Sequence, residues 1–351
     1  MNDSKFLDLI KTVRFPLICL VVFSHSIGFS FDSVSLLDFS ASNVYNFTTQ
    51  IISHNIAKIA VCQFFFFSGY LFFRNVAPDF WNWCLKKWKN RIHTLLIPFV
   101  SWNLLAILAI IVKNLLFSLF GHYDAEEMAI VTGWHVLDWF RIPADFPLWY
   151  MEDLMFMIMI SPLIYYIINR LKTWSLVLLL LIYVQPYEPG DVSMRAIFFF
   201  GFGAYCSLQK VDVLNCCKKF KIPSYILAVL TLLLAVSFNS AENHDWVIRF
   251  FYPFGIISFL NIIEGVIEKN PKIRERCQSL AETVFFIYGA HEIYILGWTK
   301  GICLRLLGES LSAQYLRYFL VPIITIIASV ILYRIVKRLL PKSLAFVCGG
   351  R

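Results

Sequence analysis

Arg14 and His25 are the first residues from which a chemistry can be argued. They lie eleven positions apart at the head of, and inside, an apolar run from Val13 to Phe31. On an α-helix that separation turns through about 1100°, three full turns plus about 20°, so both side chains share a face. At about 1.5 Å per residue they stand roughly 16 Å apart along the axis. An arginine at the lipid interface therefore sets the histidine near the middle of a ~30 Å hydrocarbon core. Imidazole is the side chain best matched to taking a proton at neutral pH, and a guanidinium offers a planar fork of donors for phosphate oxygens. An ionisable group at membrane depth is costly and faces a protein interior or a wet cavity. For His25 that leaves two roles open: a base, or a donor to a neighbouring helix carbonyl.

Further along the chain, Phe285-Phe286-Ile287-Tyr288-Gly289-Ala290-His291-Glu292 carries a second intramembrane histidine. Glu292 adjoins His291 but points about 100° away on a helix. A proton relay, a substrate contact and a structural hydrogen bond are all open to His291. The run Phe64 to Arg74 sets Ser68-Gly69 among bulky aromatics, which permits close backbone approach either to another helix or to a thin ligand. At Pro147-Leu148-Trp149-Tyr150-Met151-Glu152-Asp153, two carboxylates near a helix start either cap it or orient a base such as His25. Between 75 and 93, Trp81, Trp83 and Trp88 alternate with Lys86, Lys87, Lys89 and Arg91. That pattern fits a helix lying in a membrane interface, and equally a collar of cations for a phosphorylated ligand.

The elements that must position these residues are helices in a membrane. With 59% hydrophobic and 15% charged residues over 351 positions, the chain departs far from the roughly 25% charged residues of soluble domains. Ten apolar segments are predicted, at 13–31, 56–73, 94–117, 148–168, 173–185, 195–208, 222–238, 247–263, 280–298 and 316–336. The fifth and sixth are shorter than an ordinary span. The expected architecture is an all-α, polytopic bundle of about ten spans, forming one domain over 1–351, since no linker divides it. Most of the 31 Lys and Arg fall in the links on one side, among them Lys5, Lys11, Arg14, Lys86, Arg91, Lys218, Lys272 and Arg338. The positive-inside rule makes that side, and with it both termini, cytoplasmic. The longest outer link, 118–147, holds His122, Asp124, Glu126, Glu127, His135, Asp138, Arg141 and Asp145, and reads either as a polar acceptor site or as a solvated loop. The N-terminal segment has no small-residue cleavage pattern after Phe31 and reads as a retained helix. Nine cysteines show no zinc-like spacing and fall in apolar segments or basic links, so neither a disulfide framework nor a metal site is expected. The net charge of +8 reflects membrane topology rather than a nucleic-acid partner.

Taken together, Arg14-x10-His25, Ser68-Gly69-Tyr70-Leu71, the basic run into Leu95-Leu96-Ile97-Pro98, Leu148-Trp149-Tyr150 with Asp153, Ser161-Pro162-Leu163, and Ile287-Tyr288 with His291 resemble the acyltransferase-3 family. The likeness is to its bacterial branch of O-acetyltransferases that decorate surface polysaccharides. It covers nearly the whole chain in order. Two departures stand out. Arg91 is followed three residues on by Thr94, where the family usually carries a second arginine, and Glu152 occupies a position where many relatives carry arginine.

The resemblance implies a multi-pass protein of the bacterial inner membrane, with no tightly bound cofactor, that moves an acyl group, acetyl for preference, from cytoplasmic acyl-CoA to a hydroxyl of a surface or lipid-linked glycan. His25 would be the base. Arg14, Arg74, Lys86, Lys87, Lys89 and Arg91 would hold the donor phosphates, with Ser68 and Gly69 beside its thin arm. Trp149, Tyr150, Glu152, Asp153, His291 and Glu292 would meet the acceptor. The alternative from another class is a proton-coupled transporter or flippase, in which the histidines and carboxylates carry protons.

Overall fold

A computed structural model describes residues 2–27, 34–121, 124, 125, 128, 143–185, 193–238 and 244–350. Among them there is helix and turn but no strand. The long outer link lies mostly outside the described residues, so the expectations for His122, Glu126, Glu127, His135, Asp138 and Arg141 fall there.

Helix α1 (Asn2–His25) carries Arg14 and His25 on one continuous element, as the spacing requires. Next come α2 (Ala41–Thr49), α3 (Ile59–Phe73), α4 (Phe80–Arg91) and α5 (Ile97–Ser118). The fourth apolar segment divides into α6 (Trp149–Met159) and α7 (Ser161–Leu171), bent by 58°. Pro162 explains the division: it has no N–H to continue α6 but is well suited to the first turn of a new helix. Helices α8 (Trp174–Tyr183), α9 (Met194–Leu208), α10 (Val213–Lys219), α11 (Lys221–Ser237), α12 (His244–Lys269) and α13 (Pro271–Leu280) follow. The chain closes with α14 (Val284–Ala290), α15 (Leu296–Leu307), α16 (Leu311–Leu339) and α17 (Pro341–Val347).

By length and composition, 4 helical stretches suffice to cross a membrane, or up to 6 if each bent pair counts as one span. The fifth segment is a helix of 10 residues and the seventh one of 17, and the ninth is interrupted near both ends. Near Leu280 a short 3-10 turn precedes α14. At His291–Ile295 the helix loses its regular course, with Tyr294 at φ 61°. A left-handed conformation in a bulky residue costs roughly 1–2 kcal/mol. The Tyr294 ring is held there by stacking on Trp298 at 5.6 Å, with the Lys113 ammonium 5.3 Å from its centroid.

The core is aromatic. Phe6 of α1 meets Tyr70 edge-to-face at 4.9 Å, and Phe65, Phe72, Phe73, Phe99 and Phe200 are fully buried. Helices α3 and α9 lie against each other through paired glycines. A Cβ on Gly69 would stand 2.0 Å from the Phe200 carbonyl oxygen, and one on Gly203 would stand 2.0 Å from that of Phe66. Only glycine allows such backbone contact, a common device of membrane helices. Of the two readings open for the Ser68-Gly69 pair, Gly69 takes the helix-packing one.

Candidate active site

A cavity of ≈ 710 Å³ runs along the face of α1 that carries Lys11, Arg14, Ile18, Val21 and His25. These positions repeat every three or four residues, which is the stripe that places Arg14 and His25 on one wall. Opposite them stand Ser68 and Phe72 of α3, Arg91 of α4, Trp149 and Tyr150 of α6, and Tyr288 of α14. From Lys11 to His25 the cavity follows about 21 Å of helix.

The Arg14 end is cationic and open for binding. Arg14 is exposed to the cavity, and among the described residues it makes no hydrogen bond or ion pair. The Nε of Arg91 is buried without a partner, while its guanidinium lies 5.9 Å from the centre of the Phe72 ring. Two guanidinium groups with unused donors on one cavity are suited to phosphate. The other expected donor-side cations are elsewhere. Arg74 is spent on Asp3, with Nη2 to Oδ2 at 2.9 Å, and faces a different depression. Asp3 also accepts from the Tyr70 hydroxyl at 2.8 Å. Burial opposes ionisation of Asp3, but the bonds from Tyr70 and Arg74 outweigh it and hold its carboxyl below the usual range. Lys86 and Lys89 are exposed and Lys87 lies over Trp83; none of the three lines the cavity.

At the far end His25 is tied down from several sides. Its Nδ1 is 2.9 Å from Oε1 of Glu292, and its ring is 5.1 Å from that of His291. The ~100° offset between His291 and Glu292 does not separate them, because the His25 ring sits in the angle between the two side chains. The orienting carboxylate is thus Glu292 rather than Glu152 or Asp153. Asp153 is buried and accepts from the Ser193 amide at 3.4 Å, and neither Asp153 nor Glu152 lines the cavity. Lys300 donates to the His25 carbonyl at 2.8 Å, and Ser53 donates to the Phe23 carbonyl at 2.8 Å. These two bonds satisfy carbonyls that the end of a helix leaves open, and the ammonium is well placed at a helix C-terminus. The hydroxyls of Ser24 and Ser26 turn back to the carbonyls of Val21 and Phe23, each at 2.7 Å.

His291 is fully buried, and its Nδ1 faces the carbonyls of Ile287 and Tyr288 at 2.9 and 3.0 Å. Carbonyls accept only, so Nδ1 carries the hydrogen and Nε2 is left as an unshared lone pair, buried and without a partner. Tyr288 donates to the Pro147 carbonyl at 2.5 Å, and the Tyr150 and Ser68 hydroxyls are 3.2 Å apart on the cavity wall.

Of the residues singled out in the sequence, Arg14, Arg91, Ser68, Trp149, Tyr150 and His25 line one cavity, and His291 and Glu292 lie beside its far end. Lys300 and Ser53, which the sequence did not single out, also contact the end of α1. Lys300 is one of few cations on the sparsely charged side, but nothing in a linear pattern shows that it reaches back to the end of α1.

A family model described as an acyltransferase domain, of the acyltransferase-3 type, matches residues 6–334. The chain is 26% identical over 313 residues to the succinoglycan biosynthesis protein ExoH of Rhizobium meliloti (strain 1021), covering 86% of this chain and 81% of that protein. No solved structure matches. A match of that extent, over the helices that build the cavity, identifies the chain as a member of the acyltransferase-3 family of multi-pass membrane proteins.

Proposed function

We propose that the protein transfers an acetyl group from cytoplasmic acetyl-CoA to a hydroxyl of a surface polysaccharide or its lipid-linked precursor, with His25 as the general base. The observation that carries this reading is one cavity joining the guanidiniums of Arg14 and Arg91, without hydrogen-bond partners among the described residues, to a histidine held by a carboxylate. Family membership favours turnover over a transporter or flippase, and the relative concerned with succinoglycan biosynthesis favours a glycan acceptor. The crowding of Lys and Arg in the links on the Arg14 side favours a cytoplasmic position for that end and for both termini, in the inner membrane.

In this mechanism Arg14 and Arg91 bind the donor phosphates through charge-assisted hydrogen bonds. The pantetheine arm lies along Ile18 and Val21, past Ser68 and Tyr150, and brings the thioester to His25. Glu292 accepts from Nδ1–H, which leaves Nε2 to take the proton of the acceptor hydroxyl. As the new C–O bond forms and the C–S bond breaks, the acetyl group passes to the oxygen. The proton held by His25 goes to the departing thiolate. Direct transfer is preferred to a seryl intermediate because the Ser24 and Ser26 hydroxyls are engaged by their own helix.

Purified protein given acetyl-labelled CoA and extracts of lipid-linked or polymeric glycans tests the assignment. Label on an alkali-labile ester of the glycan, with free CoA released in equal amount, is the expected result. CoA binding without thioester consumption across such extracts would count against an enzyme of this kind.

A further inference from the structure

Beside the far end of the cavity lies a donor set that the proposed transfer reaction does not fully use. His25, His291 and Glu292 each present a ligand atom, and these atoms lie within 4.8 Å of one another. His291 is arranged as metal-binding histidines usually are, with one ring nitrogen donating to backbone carbonyls and the other held bare. A buried imidazole nitrogen with no partner calls for one, because an unmet polar atom in an apolar interior is costly. Asp145 is also buried, with Oδ2 unpartnered among the described residues.

We propose that His25 Nδ1, His291 Nε2 and Glu292 form a binding site for Zn2+, and that the ion inhibits acyl transfer by taking the groups the base depends on. Two imidazoles and a carboxylate are a borderline-soft set that suits zinc and excludes calcium or magnesium. Zinc–ligand distances near 2.0–2.2 Å require donors about 3.3 Å apart in a tetrahedron. The His25–Glu292 separation of 2.9 Å is already close to that, and the widest pair must close by about 1.5 Å. Coordination replaces the His25–Glu292 hydrogen bond, the ring proton moves from Nδ1 to Nε2 and so removes the lone pair a base needs, and solvent fills the fourth position. Binding rests on the geometry of the donors alone; inhibition rests also on His25 being the base.

The test uses the full-length protein in detergent or lipid, loaded with Zn2+ or Co2+. X-ray absorption of the zinc-loaded wild type is expected to show two imidazole nitrogens and oxygen ligands at one equivalent. Co2+ is expected to give visible bands of low-symmetry coordination. His291→Ala and Glu292→Gln should each weaken zinc binding by about 10–100-fold. Zinc should also stop acetyl transfer by wild type, and a chelator should restore it. Absence of imidazole scattering in the wild type, or Co2+ bands unchanged in both variants, would overturn the site. That spectroscopy needs no turnover, so a zinc site in a protein without transferase activity would overturn the enzyme reading alone. Zinc bound at full occupancy with undiminished transfer would overturn the inhibition.

Discussion

Glu292 stands 2.9 Å from Nδ1 of His25, and that one contact selects the tautomer. With Nδ1–H given to the carboxylate, Nε2 carries the lone pair, which is the form a base needs. Glu292→Gln keeps the size of the side chain but removes the full negative charge, and its amide can present the wrong group to Nδ1. It should lower kcat by about 10²–10⁴-fold, by analogy with carboxylates that orient a catalytic imidazole, while leaving acyl-CoA affinity within a few-fold. A loss confined to KM for the donor would show that Glu292 serves binding instead. The donor end should behave in the opposite manner. Arg14→Ala or Arg91→Ala should raise the acyl-CoA KM by about 10–100-fold, the worth of a hydrogen bond to a charged group. Arg14→Lys should recover only part, since a point charge replaces a fork. Steady-state kinetics with donor varied at fixed acceptor reads both effects. The Arg14–His25 relation is legible in the sequence because one helix fixes it. The Glu292 contact is not, since it joins residues 267 positions apart and depends on where α1 meets the break after α14.

At the scale of elements, the cavity keeps its width because α3 is clamped on its opposite side to α9. Gly69 and Gly203 bring those backbones into contact, while Ser68, next in sequence to Gly69, faces the cavity. Gly69→Ala forces a methyl to within 2.0 Å of the Phe200 carbonyl oxygen, so the helices must part. The expected cost is about 1–3 kcal/mol or more, with reduced yield of folded protein and a lower thermal midpoint. Ser68→Ala, at the adjacent position, should leave the midpoint nearly unchanged. Equal stability of Gly69→Ala and wild type in a detergent-based melting assay would contradict the clamp. The sequence signals small residues among bulky aromatics but not which of the pair packs and which lines the cavity. Helix ends are the least legible feature. The bend before Pro162 follows from proline chemistry, whereas the break at His291–Ile295 has a tyrosine, not a glycine, at positive φ and leaves no mark in local propensity.

For the whole molecule, hydropathy makes the class plain but not the shape of each segment, because apolar composition does not distinguish a straight helix from short or bent pieces. What unites the pieces is one cavity with Arg14 and Arg91 at one end and His25 at the other. In the proposed mechanism that arrangement separates donor binding from transfer, so that a single substitution should part the two. The decisive measurement compares wild type with His25→Ala in sealed, inverted membrane vesicles. Acetyl-labelled CoA is supplied at the cytoplasmic face, with CoA binding followed by calorimetry on the same purified proteins. His25→Ala is expected to fold, insert and bind CoA as wild type does, while label on the glycan falls by about 10²–10⁴-fold. Undiminished labelling by His25→Ala would contradict that expectation.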